Sequence, residues 1–239
     1  MKTKRHDLTP SRSLRVPERG GAFGTDALLL SAFAACKAGD RVLELGSGCG
    51  IIPLLFCLHR SFSHFYALER REDLARLAEE NLEENGFSGR VTVLCRDLRE
   101  PLPLRDLDAV LANPPYFPLS LPGSPDEKTR DQKSEQNGTL ADFCRAASAA
   151  LRFGGRAFFI FRAERLCDLV CSLRAEGLEP KRLLPVLPRP DGAVKLFLLS
   201  ALKGGKSGLK LEKPLLLRDE NGRDTDEMKE ILEKGRMKE

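Results

Sequence analysis

Asp40-Arg-Val-Leu-Glu-Leu-Gly-Ser-Gly-Cys-Gly50 is the stretch whose reading decides the fold. Asp40 to Leu45 is short and mostly apolar, the pattern of a buried strand. Gly46, Gly48 and Gly50 then turn the chain into a helix beginning near Ile51, because glycine reaches backbone conformations that side-chain-bearing residues resist. Strand, glycine turn and helix make a ligand-binding βα unit. A dinucleotide cradle wants its third glycine three positions after the second, and Ile51 stands there instead. A pyrophosphate is therefore disfavoured, while a small ligand can still approach the backbone closely.

Downstream, His64 to Leu68 reads as a second strand closing with Glu69, about twenty residues past the turn, where α/β nucleotide binders place a carboxylate on ribose hydroxyls. Glu72 to Asn85 carries a helical stripe of Leu74, Leu77, Ala78 and Leu82, with Gly86 as its stop and its glutamates on the solvated face. Arg90 to Cys95 is a third strand ending at Arg96-Asp97, and Leu107 to Leu111 is a fourth, delivering Asn113-Pro114-Pro115-Tyr116. Alone, Asp97 is more often a turn residue or a cap. Yet Glu44, Glu69, Asp97 and Asn113 all fall at or near successive strand ends, the ligand side of an open α/β sheet.

Asn113 to Tyr116 has its own chemistry. Two prolines fix φ and remove two backbone donors, leaving carbonyls free to accept. The Asn113 side-chain carbonyl and the Pro114 carbonyl could receive an N–H₂ group, and Tyr116 offers a face for a planar group to stack on. For these four residues alone, a rigid strand end with a core tyrosine is an equal reading.

In that order, Glu44-Leu-Gly-Ser-Gly-Cys-Gly50, Glu69, Asp97 and Asn113-Pro-Pro-Tyr116 resemble the motifs of the class I S-adenosylmethionine-dependent methyltransferases of the amino-methylating type. The resemblance covers roughly residues 20 to 202. It implies a Rossmann-like, doubly wound α/β fold with a mostly parallel seven-stranded sheet and an antiparallel last strand. It also implies cofactor contacts at Thr25, Glu44, Gly46, Ser47, Gly48, Glu69, Arg70, Asp97 and Leu98. Among these, Glu69 would take the ribose, Asp97 and the Leu98 backbone the adenine, and the glycine turn the methionine moiety, with S-adenosylhomocysteine as product and no metal. Asn113, Pro114, Pro115 and Tyr116 would form the catalytic motif.

Within that class, Phe23-Gly-Thr-Asp-Ala-Leu-Leu-Leu30, Phe161-Arg-Ala-Glu-Arg165 and Pro214-Leu-Leu-Leu-Arg-Asp-Glu-Asn-Gly222 are similar to the bacterial enzymes that methylate the exocyclic nitrogen of the adenine beside the anticodon of a valine tRNA. A tRNA substrate is implied. The rival is a glutamine N5-methyltransferase of release factors, which shares Asn-Pro-Pro-Tyr but usually begins with a helical domain; only about twenty residues precede Phe23 here. DNA adenine methylation wants a target-recognition domain. An rRNA guanine methyltransferase is a further alternative, and a module that binds without catalysing is opposed by intact Asn113 and Tyr116.

The remaining residues fill in this outline. The 239 residues, 41% hydrophobic, suffice for one large domain, read as residues 21–202. The net charge of +4 allows a polyanionic partner without demanding one. Residues 1–20 read as a basic, loop-like arm, either solvated or lying on nucleic acid. Thr25 is expected to cap a helix running to Ala35, with Asp26 in its first turn. The polar segment 119–138 is long for a compact domain and reads as a lid or mobile loop. Thr139 caps a helix to Leu151, Gly154-Gly155 turns into a strand from Arg156 to Phe161, and Glu164 to Glu176 is an amphipathic helix stopped by Gly177. Lys181 to Leu187 and Ala193 to Ala201 read as an antiparallel pair. Residues 203–239 read as a flexible basic linker and a short extension helix from Thr225, without a second core. The seven cysteines, odd in number and without zinc-site spacing, predict reduced thiols. With no membrane-length apolar run and no signal h-region, a cytoplasmic protein without membrane or obligate protein partner is expected.

Overall fold

The computed structural model describes residues 2–18, 24–115 and 138–237. Its centre is a sheet whose long strands are β3 (Arg41–Leu45), β4 (His64–Glu69), β5 (Val91–Cys95), β6 (Leu107–Ala112), β7 (Leu151–Arg162), β8 (Leu178–Leu187) and β9 (Leu196–Lys203). They lie in the order β8-β9-β7-β6-β3-β4-β5. All these pairings are parallel except those of β9, which runs against both β7 and β8. That is the anticipated seven-stranded arrangement. Two-residue strands β10 (Lys210–Leu211) and β11 (Leu215–Leu216) add to it, both parallel to β8.

The sheet is buried on both faces, so its strands are apolar on both sides and alternate between two cores. Val42, Ala109, Phe158 and Leu198 face one layer, while Leu43, Val110, Phe159 and Leu199 face the other. Helices α1 (Thr25–Phe33), α2 (Ile51–His59) and α3 (Glu72–Glu84) contribute to the first layer, and α4 (Leu140–Ala150) and α5 (Leu166–Ala175) to the second. The last helix, α6 (Asp226–Lys234), buries Met228 and Ile231 in the first layer. The sheet is thus doubly wound. No helix among the described residues is long and apolar enough to cross a membrane.

Several local expectations are corrected. Residues 3–17 are not loop-like: β1 (Thr3–Thr9) and β2 (Arg12–Pro17) form an antiparallel hairpin, with Leu14 and Val16 fully buried in the first layer. Residues 1, 19 and 20 of the expected arm lie outside the described residues. Thr25 is the first helical residue rather than the cap; Gly24 takes the extended cap position, with no side-chain bond to the helix. Gly154-Gly155 does not precede a strand but lies inside β7, which begins directly after α4. There the register slips between Leu107↔Leu151 and Ala109↔Arg156, a bulge that absorbs the extra residues. The expected linker also differs, since β10 lies on β8 and the extension beyond it packs through α6 on the main core.

Candidate active site

Strand register brings the site together. Leu45 pairs with Leu68 on one side and with Ala112 on the other, and Glu69 pairs with Cys95. The glycine turn, Glu69, the Arg96–Leu98 segment and Asn113 therefore leave one edge of the sheet on adjacent strands, about 4.8 Å apart.

The turn is held against β4. Gly46 and Ser47 donate their N–H groups to the Leu68 carbonyl at 2.8 and 2.9 Å, and Gly50 donates to Ser47 at 3.0 Å. Gly48 and Gly50 have φ of +55° and +84°, conformations that favour glycine. A Cβ on Gly48 would meet no atom of the described residues within 4 Å, whereas one on Gly50 would sit 3.1 Å from the Ala78 Cβ of α3. One glycine is clear of the described residues and the other admits a helix.

Glu69 spans the turn and the start of α3. Its Oε2 accepts the Gly48 N–H at 2.9 Å and its Oε1 the Arg71 N–H at 2.8 Å. Glu44 and Ser47 are each only 3% exposed, and Glu44 Oε2 and Ser47 Oγ have no hydrogen-bond partner among the described residues. Burial first, and then the neighbouring Glu69 carboxylate, push the Glu44 carboxyl well above its ordinary range. On the next strand end, Asp97 accepts from the Arg99 N–H at 3.0 Å and from its guanidinium at 2.9 and 2.5 Å. That grip, with a contribution from the charge of Arg70, holds Asp97 below the usual carboxylate range.

On the acceptor side, Pro114 is buried while Asn113 and Pro115 are half-buried. Tyr116 lies outside the described residues, as do Phe23 and the loop from 119 to 137. Leu98 is buried, and Thr25 and Arg70 are exposed, Arg70 close enough for its charge to act on Asp97.

The sequence reading missed two contributors. Phe143 of α4 is buried beside the turn: a Cβ on Gly46 would lie 3.6 Å from its ring, and one on Gly138 would lie 3.5 Å from both Phe143 and Leu98. Asn81 of α3 donates to the Cys49 carbonyl within the turn at 2.9 Å. Its signal was an amide on an otherwise apolar helical stripe.

The donor set favours a particular ligand. Three acidic side chains at one edge, Glu44, Glu69 and Asp97, two of them buried, are a poor match for phosphate and a better one for a cation, which would favour the charged form of Glu44. A buried carboxyl oxygen and hydroxyl without partners among the described residues, close in sequence to a glycine turn, suit a ligand bearing positive charge and hydrogen-bonding hydroxyls. S-Adenosylmethionine has both, and the residues present fit it.

Sheet order, the reversed β9, the glycine turn after the first strand of the domain and the acid ending the second together define a class I methyltransferase. The chain belongs to the methyltransferase small domain family, which it matches over residues 22–169. It is similar to a tRNA1(Val) (adenine(37)-N6)-methyltransferase of Parabacteroides distasonis, 32% identical over 178 residues that cover 74% of each chain. A protein of the same name from Bacteroides fragilis is 27% identical over 74% of this chain and 75% of its own. Among solved structures, a protein of Agrobacterium tumefaciens described as a predicted O-methyltransferase superposes with a TM-score of 0.74, covering 89% of this chain and 98% of that one at 22% identity. That likeness bears on the fold alone.

Proposed function

We propose that the protein transfers a methyl group from S-adenosylmethionine to the exocyclic N6 of an adenine in tRNA, at position 37 beside the anticodon of a valine tRNA. The observation that carries this reading is the pairing of Leu45 with Ala112, which sets the glycine turn and Asn113-Pro114 on neighbouring strand ends. The relatives named for tRNA1(Val) adenine-37 methylation support the acceptor.

In this reading Glu69 accepts the ribose hydroxyls, while Asp97 and the Leu98 backbone receive the adenine moiety of the cofactor. The turn at Gly46, Ser47 and Gly48, with Glu44 beneath it, holds the methionine end. Thr25 and Arg70 border the cofactor. When bound, S-adenosylmethionine supplies a methyl group made electrophilic by its positive sulfonium. The target base turns out of its stack onto Tyr116. Asn113 Oδ1 and the Pro114 carbonyl accept hydrogen bonds from its amino group, so that the nitrogen lone pair is aimed, and Pro115 keeps that carbonyl pair rigid. No strong base is needed, because the proton leaves after transfer. Positioning and electrostatics supply most of the acceleration.

The test incubates the protein and labelled S-adenosylmethionine with unmodified tRNA, rRNA or recombinant release factor, then digests the labelled fraction and identifies the methylated residue. N6-Methyladenosine in tRNA is expected. Label on a release-factor glutamine would replace the acceptor while keeping the site. Asn113→Ala is expected to lose turnover by at least about a hundredfold with cofactor affinity retained, since an acceptor for the reacting amino group disappears; full activity in that variant would remove Asn113 from the mechanism.

A further inference from the structure

The edge of β2 away from β1 is closed not by another strand but by two asparagines, Asn81 of α3 and Asn85 at its C-terminal cap. Asn85 Oδ1 accepts the Ser13 N–H at 3.2 Å and its Nδ2 donates to the Ser13 carbonyl at 2.7 Å. Two residues along the strand and one turn back along the helix, Asn81 repeats the pattern, accepting from Arg15 N–H at 2.8 Å and donating to the Arg15 carbonyl at 2.9 Å. Each carboxamide thus mimics a peptide group and forms one rung of a ladder. Arg15 reinforces the dock with Glu80 and Glu84 at 2.9 and 2.7 Å.

The two rungs differ in one respect. The second proton of Asn85 Nδ2 goes to the carbonyl of Asn81 within the same helix, at 2.6 Å. The second proton of Asn81 goes to the Cys49 carbonyl at 2.9 Å, inside the glycine turn. Cys49 precedes the first residue of α2 and its Gly50 cap, so its carbonyl lies outside the helical ladder and takes its donor from elsewhere. Asn81 is fully buried and uses both protons and its carbonyl on two segments distant in sequence.

We infer that Asn81 is a positioning residue for cofactor binding, fixing the Cys49 end of the glycine turn and coupling the turn to the N-terminal hairpin, whereas Asn85 anchors the hairpin alone. This rests on the reading of the turn as the cofactor seat. Cofactor and hairpin are then linked in both directions: ordering the turn steadies Asn81 and through it Arg15, and losing the hairpin loosens the turn.

The test compares Asn81→Ala with Asn85→Ala. Both lower thermal stability, because each removes a buried rung. Asn81→Ala is expected to weaken S-adenosylmethionine binding by about tenfold, the effect of roughly one lost buried hydrogen bond, and to speed amide exchange at Gly48 to Gly50. Asn85→Ala is expected to speed exchange at Ser13 and Arg15 and to leave cofactor affinity within about twofold. Equal weakening by both variants, or unchanged affinity in a folded Asn81→Ala, overturns the inference. If Asn81→Ala does not fold, the wild-type protein serves: saturating S-adenosylmethionine should slow exchange at the Arg15 amide, and protection confined to the turn overturns the coupling. Wild-type protein that binds no S-adenosylmethionine would refute the reading of the seat itself.

Discussion

Glu44 carries the strongest electrostatic tension at the site. Its carboxyl is buried, lies near Glu69 and has one oxygen without a partner among the described residues. The folded protein therefore favours its neutral form, and its affinity for the proton is raised above the ordinary glutamate value of 4.5. The stability contribution of a group raised in this way is fully present below that ordinary value and is lost as pH climbs through the raised one. Ligand-free wild-type protein should thus lose stability relative to Glu44→Gln as pH rises above 4.5, which melting curves across pH would reveal. A cationic ligand reverses the preference by stabilising the carboxylate. Over the range where Glu44 is protonated, cofactor binding should release a proton and tighten with pH. Calorimetry in buffers of different ionisation enthalpy reads this directly, and equal proton release by wild type and Glu44→Gln would absolve Glu44. The thiols behave differently: burial pushes Cys36, Cys49 and Cys144 up to about 12, so they remain protonated at neutral pH and are poor nucleophiles.

Among the elements, α4 links stability to the site. Thr139 Oγ1 accepts the Asp142 N–H at 3.2 Å while the Asp142 carboxylate accepts the Thr139 N–H at 2.9 Å, a closed capping box that starts the helix one turn before Phe143. Thr139→Ala should cost about 1 kcal/mol, seen as a lower urea midpoint with an unchanged slope; a steeper or shallower slope would mean that the native or denatured ensemble had changed instead. This cap was legible in the sequence because its partners are three residues apart. The same holds for the glycine turn and the stripe of α3, whose causes are local. The hairpin was not legible, although Ser13-Leu-Arg-Val16 alternates polar and apolar residues as a strand does. What satisfies its backbone is a pair of amides at Asn81 and Asn85, and no window around residue 14 contains them. Thr25 misled for a related reason: a good capping residue was present, but Gly24 already occupied the extended position before the helix.

At the scale of the whole molecule, the core has no seam at residue 203. Ile231 is 1% exposed and shares the first layer with Leu29, Phe33 and Val42. Ile231→Ala should therefore lower global stability by about 2–5 kcal/mol in a single transition followed alike by circular dichroism and intrinsic fluorescence. Two separated transitions would instead make the extension an independent unit. The mostly parallel seven-stranded sheet with its antiparallel last strand was anticipated through the family that the strand-end motifs resemble, while the order of β3 to β9 came from the structure. The two-residue pairings of β10 and β11 did not, since so short a strand leaves no periodicity to read and is set by the β8 edge it lies on.

Because β9 runs against both its neighbours, β8 ends at the same rim as β6, and β11 beside it ends there too. The connections 188–195 and 217–225 consequently leave the rim on the far side of Asn113, whereas the glycine turn, Glu69 and Asp97 follow β3, β4 and β5 on the other side. In the proposed function, chain order therefore separates the residues assigned to the methyl donor, which come early, from the later connections on the acceptor side. On that proposal, remodelling the segments beyond Leu187 would change the acceptor while leaving the strand ends assigned to the methyl donor in place.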